Sequence, residues 1–267
     1  MILTLFKYDI KQNWGVWTIV LAVLLLYFTV ILGMYDPVSN QTLIDLAAMK
    51  MSPEWLQAFG FEVQVTSSLI DFISSFFYGM LMILFPLIYL IIGANRVVVQ
   101  HIDRGSMAFL LTAPFTRTKI LRTQIIFLVG SLFDLFFTFT VIAVLLAHFQ
   151  FPGMLDYGQF IYLNLGVFLL YFLLSSIAIL GSVIFNQSRH AMAVIAGVPV
   201  LMYIMQMIAN ANPTYEWTKY LSCFTLFDNT AIASGELTII NYLAMFVLSV
   251  VIYFVAFTIF KRRDISV

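Results

Sequence analysis

The chain has 267 residues, of which 62% are hydrophobic and only 10% are charged, and its net charge is zero. A mean hydropathy of +1.00 excludes a water-soluble domain of this size, because such a domain could not hide so much apolar surface. The balanced charge gives no reason to expect a nucleic-acid partner. A single cysteine, Cys223, excludes an internal disulfide and a cysteine metal cluster.

Six stretches are long and apolar enough to cross a bilayer, for which about 20 helical residues are needed. Lipid cannot satisfy an open strand edge, and the alternating pattern of a membrane barrel is absent, so we predict an all-α integral membrane fold. Residues 1–267 are expected to form one domain. The predicted spans are Gly15–Met34, Phe72–Ala94, Ile125–Ala147, Tyr162–Ile184, Ala191–Ala209 and Ile239–Phe260.

The basic residues fall on one side of these spans. Of the 13 lysines and arginines, only Lys50 and Lys219 lie on the other side. Positive charge is retained in the cytoplasm during membrane insertion, so both termini are expected to be cytoplasmic. This distribution predicts a multi-pass protein of the cytoplasmic membrane.

Residues 1–13 precede the first span and are too few to cross a membrane. Their apolar residues can share one helical face, with Lys7 and Lys11 towards the other. This pattern predicts a helix that lies along the membrane surface. The apolar face would consist of Ile2, Leu3, Phe6 and Ile10.

Two segments on the outer side are predicted to contain short helices. In the first outer loop, Ser52 can cap a helix, Pro53 suits its first position and Gly60 suits its end. The last outer stretch, Asn210–Leu237, is amphipathic and rich in aromatic residues. It is too apolar for a free loop and too interrupted to span, which favours re-entrant or interfacial helices covered by protein.

The first cytoplasmic loop, Asn95–Gln124, combines basic residues with an apolar helical turn between Arg104 and Arg117. An apolar turn in a basic loop needs a partner, which is either the membrane or another protein. The turn contains Met107, Phe109, Leu110 and Leu111.

Asp134 is the one ionisable residue deep in a predicted span, about 14 Å past Ile125 at the helical rise. With Gly130, Ser131 and Thr138 it forms a small, polar stripe, so we expect it to face the protein interior. It could bind a proton or cation, or it could hydrogen-bond neighbouring helices. The lack of a second intramembrane charge favours the hydrogen-bonding role. The opposite face would carry Phe133, Phe136 and Phe137.

The fifth span contains a cluster of methionines with polar neighbours. Methionine adapts to irregular apolar partners, so the cluster could line a path for hydrophobic or amphipathic cargo. Ordinary helix packing or lipid contact also explains the cluster and is favoured, since methionine is common in membrane helices. The residues are Met202, Tyr203, Met205 and Gln206.

The sequence contains no phosphate loop, zinc-protease motif, nucleophile elbow or dinucleotide fingerprint. We therefore expect no enzymatic activity and no catalytic, cofactor or metal site in this chain. Energy for any pumping would come from an ion gradient or from a separate ATPase.

Four segments carry short sequence motifs: SPEWLQAFGF (Ser52–Phe61), DRGSMAFLLTAPFTRTKILRTQ (Asp103–Gln124), YLSCFTLFD (Tyr220–Asp228) and FKRRDI (Phe260–Ile265). Taken in order with the six spans, they resemble the permease subunits of type-2 ABC transporters. They resemble, in turn, the outer-loop helix, coupling segment, outer re-entrant region and basic tail of that family, and the helix at 1–13 resembles its elbow helix. In the re-entrant region Cys223 stands where the family has proline.

The resemblance implies a permease that pairs with a second copy or a homologue and binds two ABC ATPase subunits. ATP and Mg²⁺ would bind to those ATPases, and this chain would bind no cofactor. A cytoplasmic coupling helix would dock in a groove on the ATPase. Its coupling residues would be Asp103, Arg104, Ser106, Met107, Phe109, Leu110, Leu111 and Arg117.

The resemblance also implies export across the cytoplasmic membrane of a prokaryote. Small members of the family export peptide toxins, bacteriocins or phenol-soluble modulins, so we expect an amphipathic or hydrophobic peptide. Spans one, two and five would line the subunit interface and path, including Met202–Gln206. Two alternatives remain: a gradient-driven transporter that uses Asp134, and a non-transporting membrane anchor or immunity protein.

Overall fold

A computed structural model of the chain describes residues 2–35, 68–99, 117–185, 188–236 and 239–262. Every regular element in these residues is helical, which confirms the predicted fold class. The α-helices are α1 (Leu3–Gly33), α2 (Leu69–Ile73), α3 (Leu81–Ala94), α4 (Arg117–Gln150), α5 (Tyr157–Ile184), α6 (Ser188–Ala211), α7 (Asn229–Ala233) and α8 (Ile239–Arg262). The other elements are π-helical turns at Ser74–Tyr78 and Asn95–Val99 and 3₁₀ helices at Pro213–Leu221 and Cys223–Leu226.

Five helices, α1, α4, α5, α6 and α8, are each long and apolar enough to cross a membrane. The predicted second span is not one straight helix. It consists of two pieces, Leu69–Tyr78 and Leu81–Val97, which are bent by 43° at a short break. With this bent pair taken as one span, the described residues contain the six spans that the sequence predicts.

The break in the second span is stabilised by side chains from an outer segment. Met80 leaves the helical region, with φ −133° and ψ −54°. Nearby, the Asn229 amide donates to the Ser74 carbonyl at 3.0 Å, and the Ser74 hydroxyl donates to the Asn229 carbonyl at 2.8 Å. An irregular backbone at membrane depth is tolerated where protein supplies such partners. These two bonds tie α7 to the broken span.

A second irregularity lies in α3, where Pro86 lacks the N–H of a helical hydrogen bond. The fully buried Tyr171 hydroxyl of α5 donates to the carbonyl of Ile83, three residues before the proline. The bond joins α3 to the helix behind it at the point where the proline weakens the hydrogen-bond ladder.

The core is built around α5, which contacts α3, α4, α6 and α8. Its outer half meets an aromatic cluster shared by α1, the first π turn and α4. The Phe28 ring lies 5.5 Å from both Phe77 and Phe139, and the latter two rings stack at 5.4 Å. Aromatic pairs at these separations contribute about 0.5–1.5 kcal/mol beyond their burial.

Helix α1 corrects the prediction for residues 1–13. They are not a separate surface helix, because α1 runs unbroken for 31 residues, or about 46 Å. Its first turns pack on α4: the Ile2 N–H donates to Thr123 Oγ1 at 2.9 Å, and Phe6 and Phe127 meet edge to face at 6.0 Å. Of the predicted apolar face, Leu3 and Ile10 are exposed, whereas Ile2 is buried against Ile120 of α4. The burial of Asp9 was not predicted.

The outer stretch after α6 forms the two 3₁₀ helices, which we call the outer cap. Both pack on α6, and the second also contacts α5 and α8. Cys223 is the first residue of the second 3₁₀ helix, a position where proline is readily accommodated, and the Ser222 hydroxyl caps it by accepting from the Phe224 N–H. Burial raises the pKa of the Cys223 thiol to about 12, which keeps it protonated and unreactive.

We predict that Gly166→Ala destabilises the protein by about 1–3 kcal/mol, the usual cost of overpacking. A Cβ at Gly166 would lie only 2.8 Å from Tyr242 Cζ, so the ring would have to move. That movement would break the 2.8 Å hydrogen bond from the Tyr242 hydroxyl to the Tyr162 carbonyl. Thermal unfolding in mild detergent measures the effect.

The control for this experiment is Gly197→Ala, because nothing lies within 4 Å of a Cβ built at that glycine. This change should leave the melting temperature equal or higher, since alanine favours a helix interior more than glycine does. Equal melting temperatures for the two variants would show that the α5–α8 contact at Gly166 is not tight.

Candidate functional site

The coupling segment predicted from the sequence lies largely outside the described residues. Arg117 is the first residue of α4, and its side chain is not described. The other predicted coupling residues lie outside the described ranges: Asp103, Arg104, Ser106, Met107, Phe109, Leu110 and Leu111. The outer-loop helix predicted at 52–60 lies outside these ranges too.

The two ends of that segment are held together in the described part of the chain. The segment leaves from the π turn Asn95–Val99 and returns at the start of α4. The Gln124 side chain of α4 is fully buried, and its Nε2 donates to the Val97 carbonyl at 2.7 Å. The two described segments that flank residues 100–116 are therefore in contact with each other.

The start of α1 contacts both of these segments. Arg96 Nη1 donates to the Gln12 carbonyl at 2.9 Å, which links the π turn to α1. The hydrogen bond from Ile2 to Thr123 links α1 to α4. We call this three-way contact the cytoplasmic junction, because the distribution of basic residues predicts that this end of the bundle faces the cytoplasm. It comprises Ile2, Asp9, Gln12, Asn13, Arg96, Val97, Thr123 and Gln124.

The cytoplasmic junction contains polar atoms without partners. Both carboxylate oxygens of Asp9 are buried and have no hydrogen-bond partner among the described residues, and the same holds for Gln124 Oε1. A buried charge without a partner costs several kcal/mol, so an ionised Asp9 would be unfavourable at this position. Sequence analysis missed it, although Leu5, Asp9 and Asn13 recur every four residues and so share one helical face.

Asp134 was predicted to face the protein interior, but it does not. It is exposed on the outside of α4, together with Phe133 and Phe137, whose rings stack at 5.8 Å. The interior face of α4 carries large apolar residues, including Leu132 and Phe139. These side chains fill the core against α1 and α5, and their packing turns the polar stripe outward.

Asp134 lines a groove of about 230 Å³ between α1 and α4, which we call the α1–α4 groove. Trp17 fixes its wall by donating from Nε1 to the Ser131 carbonyl at 3.3 Å, and the Trp14 and Trp17 rings stack at 5.6 Å. The lining residues are Phe6, Ile10, Asn13, Trp14, Trp17, Tyr89, Phe127, Gly130, Ser131 and Asp134.

The methionine cluster of α6 lies under the outer cap. Tyr203 is buried and meets Phe224 edge to face at 5.5 Å, and Gln206 Oε1 accepts from the Thr225 hydroxyl at 2.6 Å. Backbone contact is made as well, since the Thr218 hydroxyl donates to the Met205 carbonyl at 3.0 Å. These residues hold the cap in place and are not part of the α1–α4 groove. Met202 is partly buried against the core.

The exposed face of α6 is apolar and distinct from that cluster. Val200, Leu201 and Ile204 point outward with exposures of 42–57%. A longer row of exposed apolar residues lies on α8. Such faces suit contact with lipid or with another membrane subunit.

Comparison with known proteins yields a family match over nearly the whole chain. Residues 4–265 match the family described as "ABC-2 family transporter protein". No curated protein and no solved structure matches the chain. The permeases of this family are membrane subunits and not ATPases. With its series of apolar helices and a match that covers both ends of the bundle, the chain belongs to the ABC-2 transporter family and is a multi-pass membrane protein.

Proposed function

We propose that the chain is the permease subunit of an ATP-driven exporter. It pairs with a second permease, and the pair binds two ABC ATPase subunits at the cytoplasmic side. The family match supports the permease role. The coupling mechanism rests on the contact between the two described segments that flank residues 100–116, where Gln124 Nε2 donates to the Val97 carbonyl.

Coupling in this proposal begins at the apolar turn Met107–Leu111, which docks in a groove on the ATPase. Arg104 and Arg117 add charge contacts on either side of that turn. ATP and Mg²⁺ bind to the ATPase, whose closure on ATP displaces the turn. This chain supplies the coupling turn and the cargo path, and the ATPase carries out the hydrolysis.

The cytoplasmic junction gives the displacement a route into the membrane. Because the π turn, α1 and α4 are bonded to one another there, they move together. Helices α1 and α4 continue as single helices of 31 and 34 residues. A shift at the cytoplasmic end therefore reaches the outer end through rigid elements, as in known hinge and helix-shift transitions.

The cargo in this proposal is a hydrophobic or amphipathic peptide, such as a peptide toxin or an antimicrobial peptide. The apolar outer faces of α6 and α8 support cargo that reaches the permease from the bilayer. The few charged groups in the spans do not suit a strongly ionic, water-soluble solute.

We predict that a Phe109→Asp, Leu110→Asp double variant loses its ATPase partner. Two new carboxylates would have to be buried in the apolar docking groove, at a cost of several kcal/mol. The full-length chain is purified from native membranes in mild detergent, and co-purification of an ATPase with a phosphate loop is measured for wild type and variant.

The matched control is Tyr220→Asp, Leu221→Asp, which adds the same charges to two exposed residues of the outer cap. This control should retain the ATPase. If the coupling variant keeps it too, or if wild type carries none, the exporter proposal is wrong, and a gradient-driven or anchoring role takes its place.

We also predict that Gln124→Met weakens coupling without dissociating the complex. The change keeps side-chain size but removes the bond to the Val97 carbonyl, worth roughly 1 kcal/mol, so permease-dependent ATP hydrolysis should fall about three- to tenfold. Hydrolysis by the reconstituted complex is compared with that of the ATPase alone. Gln150→Met, at the exposed outer end of the same helix, is the control and should have no effect. Equal activities would exclude the junction as the route of coupling.

A further inference from the structure

The α1–α4 groove contains an acidic side chain that pairs with no basic residue in the described ranges. Asp134 is exposed, lies in a span and makes no ion pair within the described ranges, and no basic residue is among the described residues that line the groove. A carboxylate in contact with the hydrocarbon region costs at least about 2.5 kcal/mol on insertion scales. A cation that enters the groove would offset this cost.

A second acceptor lines the same groove. Asn13 is only 2% exposed, and its Oδ1 has no hydrogen-bond partner among the described residues. The Asn13 amide nitrogen is already used, since it donates to the Asp9 carbonyl at 2.9 Å. Asp134 is exposed, whereas the Asn13 oxygen is itself buried, so Asp134 is the acceptor that a ligand in the groove meets first. A carboxylate matches a ligand that donates hydrogen bonds and carries positive charge.

Aromatic rings complete a site for such a cation. The stacked pair Trp14 and Trp17 forms one wall, and Tyr89 is part of the lining. Aromatic faces attract ammonium groups by about 0.5–2 kcal/mol, most strongly where water is excluded. A carboxylate, an amide oxygen and indole rings together favour an ammonium over an anion or a neutral group.

The surroundings of the groove indicate that the rest of the ligand is apolar. Phe133 and Phe137 on α4 are more than half exposed next to Asp134, and Ile10 is exposed on α1. A volume of about 230 Å³ is below the range of drug-sized pockets, roughly 300–1,000 Å³, and suits a headgroup rather than a whole peptide helix.

We infer that the α1–α4 groove binds the ammonium headgroup of a membrane-inserted amphiphile, with Asp134 as counter-ion and the apolar tail lying in the bilayer along α4. Export is not required for this binding. It needs neither ATP nor the ATPase, so its test and the test of the exporter proposal fail independently.

The test measures binding to the full-length chain in nanodiscs of an uncharged glycolipid, which carries no ammonium group to compete with the probe. The probes are a bromoalkylammonium, brominated near its amine, and the bromoalkyl alcohol of the same length. Bromine in contact with Trp14 and Trp17 quenches their fluorescence. In wild type, saturable quenching should require at least tenfold less ammonium than alcohol, which is about 1.4 kcal/mol of preference. Empty nanodiscs correct for partition into lipid.

Asp134→Asn should abolish this preference, because it removes the charge and keeps the shape. The control Asp156→Asn makes the same change at an exposed helix cap outside the groove and should keep the full preference. An unchanged preference in Asp134→Asn, or equal binding of the two probes by wild type, would overturn the inference. If Asp134→Asn instead separates a permease pair while neither protein prefers ammonium, the groove is a subunit contact and the inference is wrong.

Discussion

The bundle depends on the rule that backbone polar groups within a membrane must find partners inside the protein. Regular helices satisfy it by themselves, but the second span does not, because it is broken near Met80 and contains Pro86. The Asn229 amide and the Tyr171 hydroxyl each bind a carbonyl of the irregular stretch. Contacts with α5 and α7 therefore supply partners for the irregular backbone of the bent span.

The broken span carries a further irregularity at each end. A π turn lies at each of its two irregular ends, at Ser74–Tyr78 and Asn95–Val99, and π-helical insertions are common at functional sites. The cytoplasmic turn is bonded to both α1 and α4, whereas the outer turn is bonded to α7. The span thus connects the cytoplasmic junction with the outer cap region through a helix that is already bent.

Sequence patterns predicted the helical class, the number of spans and the short helices after α6, because long apolar runs allow little else in lipid. They failed wherever the partner of a helix decides its orientation. Asp134 and its small neighbours were expected inside, yet the bulky residues of α4 fill the core and leave Asp134 outside. The continuity of α1 and the bend at Met80 depend on tertiary contacts that hydropathy does not encode. The predicted coupling residues other than Arg117 lie outside the described ranges and stay predictions.

Asp9 on α1 and Asp134 on α4 belong to the same helix pair but differ in burial. Asp9 is enclosed where α1 meets α4, and neither of its carboxylate oxygens has a hydrogen-bond partner among the described residues. Asp134 lies at the open side of the same pair, where a ligand can approach it. Because Asn13 lines the groove and also bonds the Asp9 carbonyl, the two carboxylates share one structural element. A ligand in the groove would therefore lie against the same stretch of α1 that contains Asp9 and that Arg96 ties to the second span.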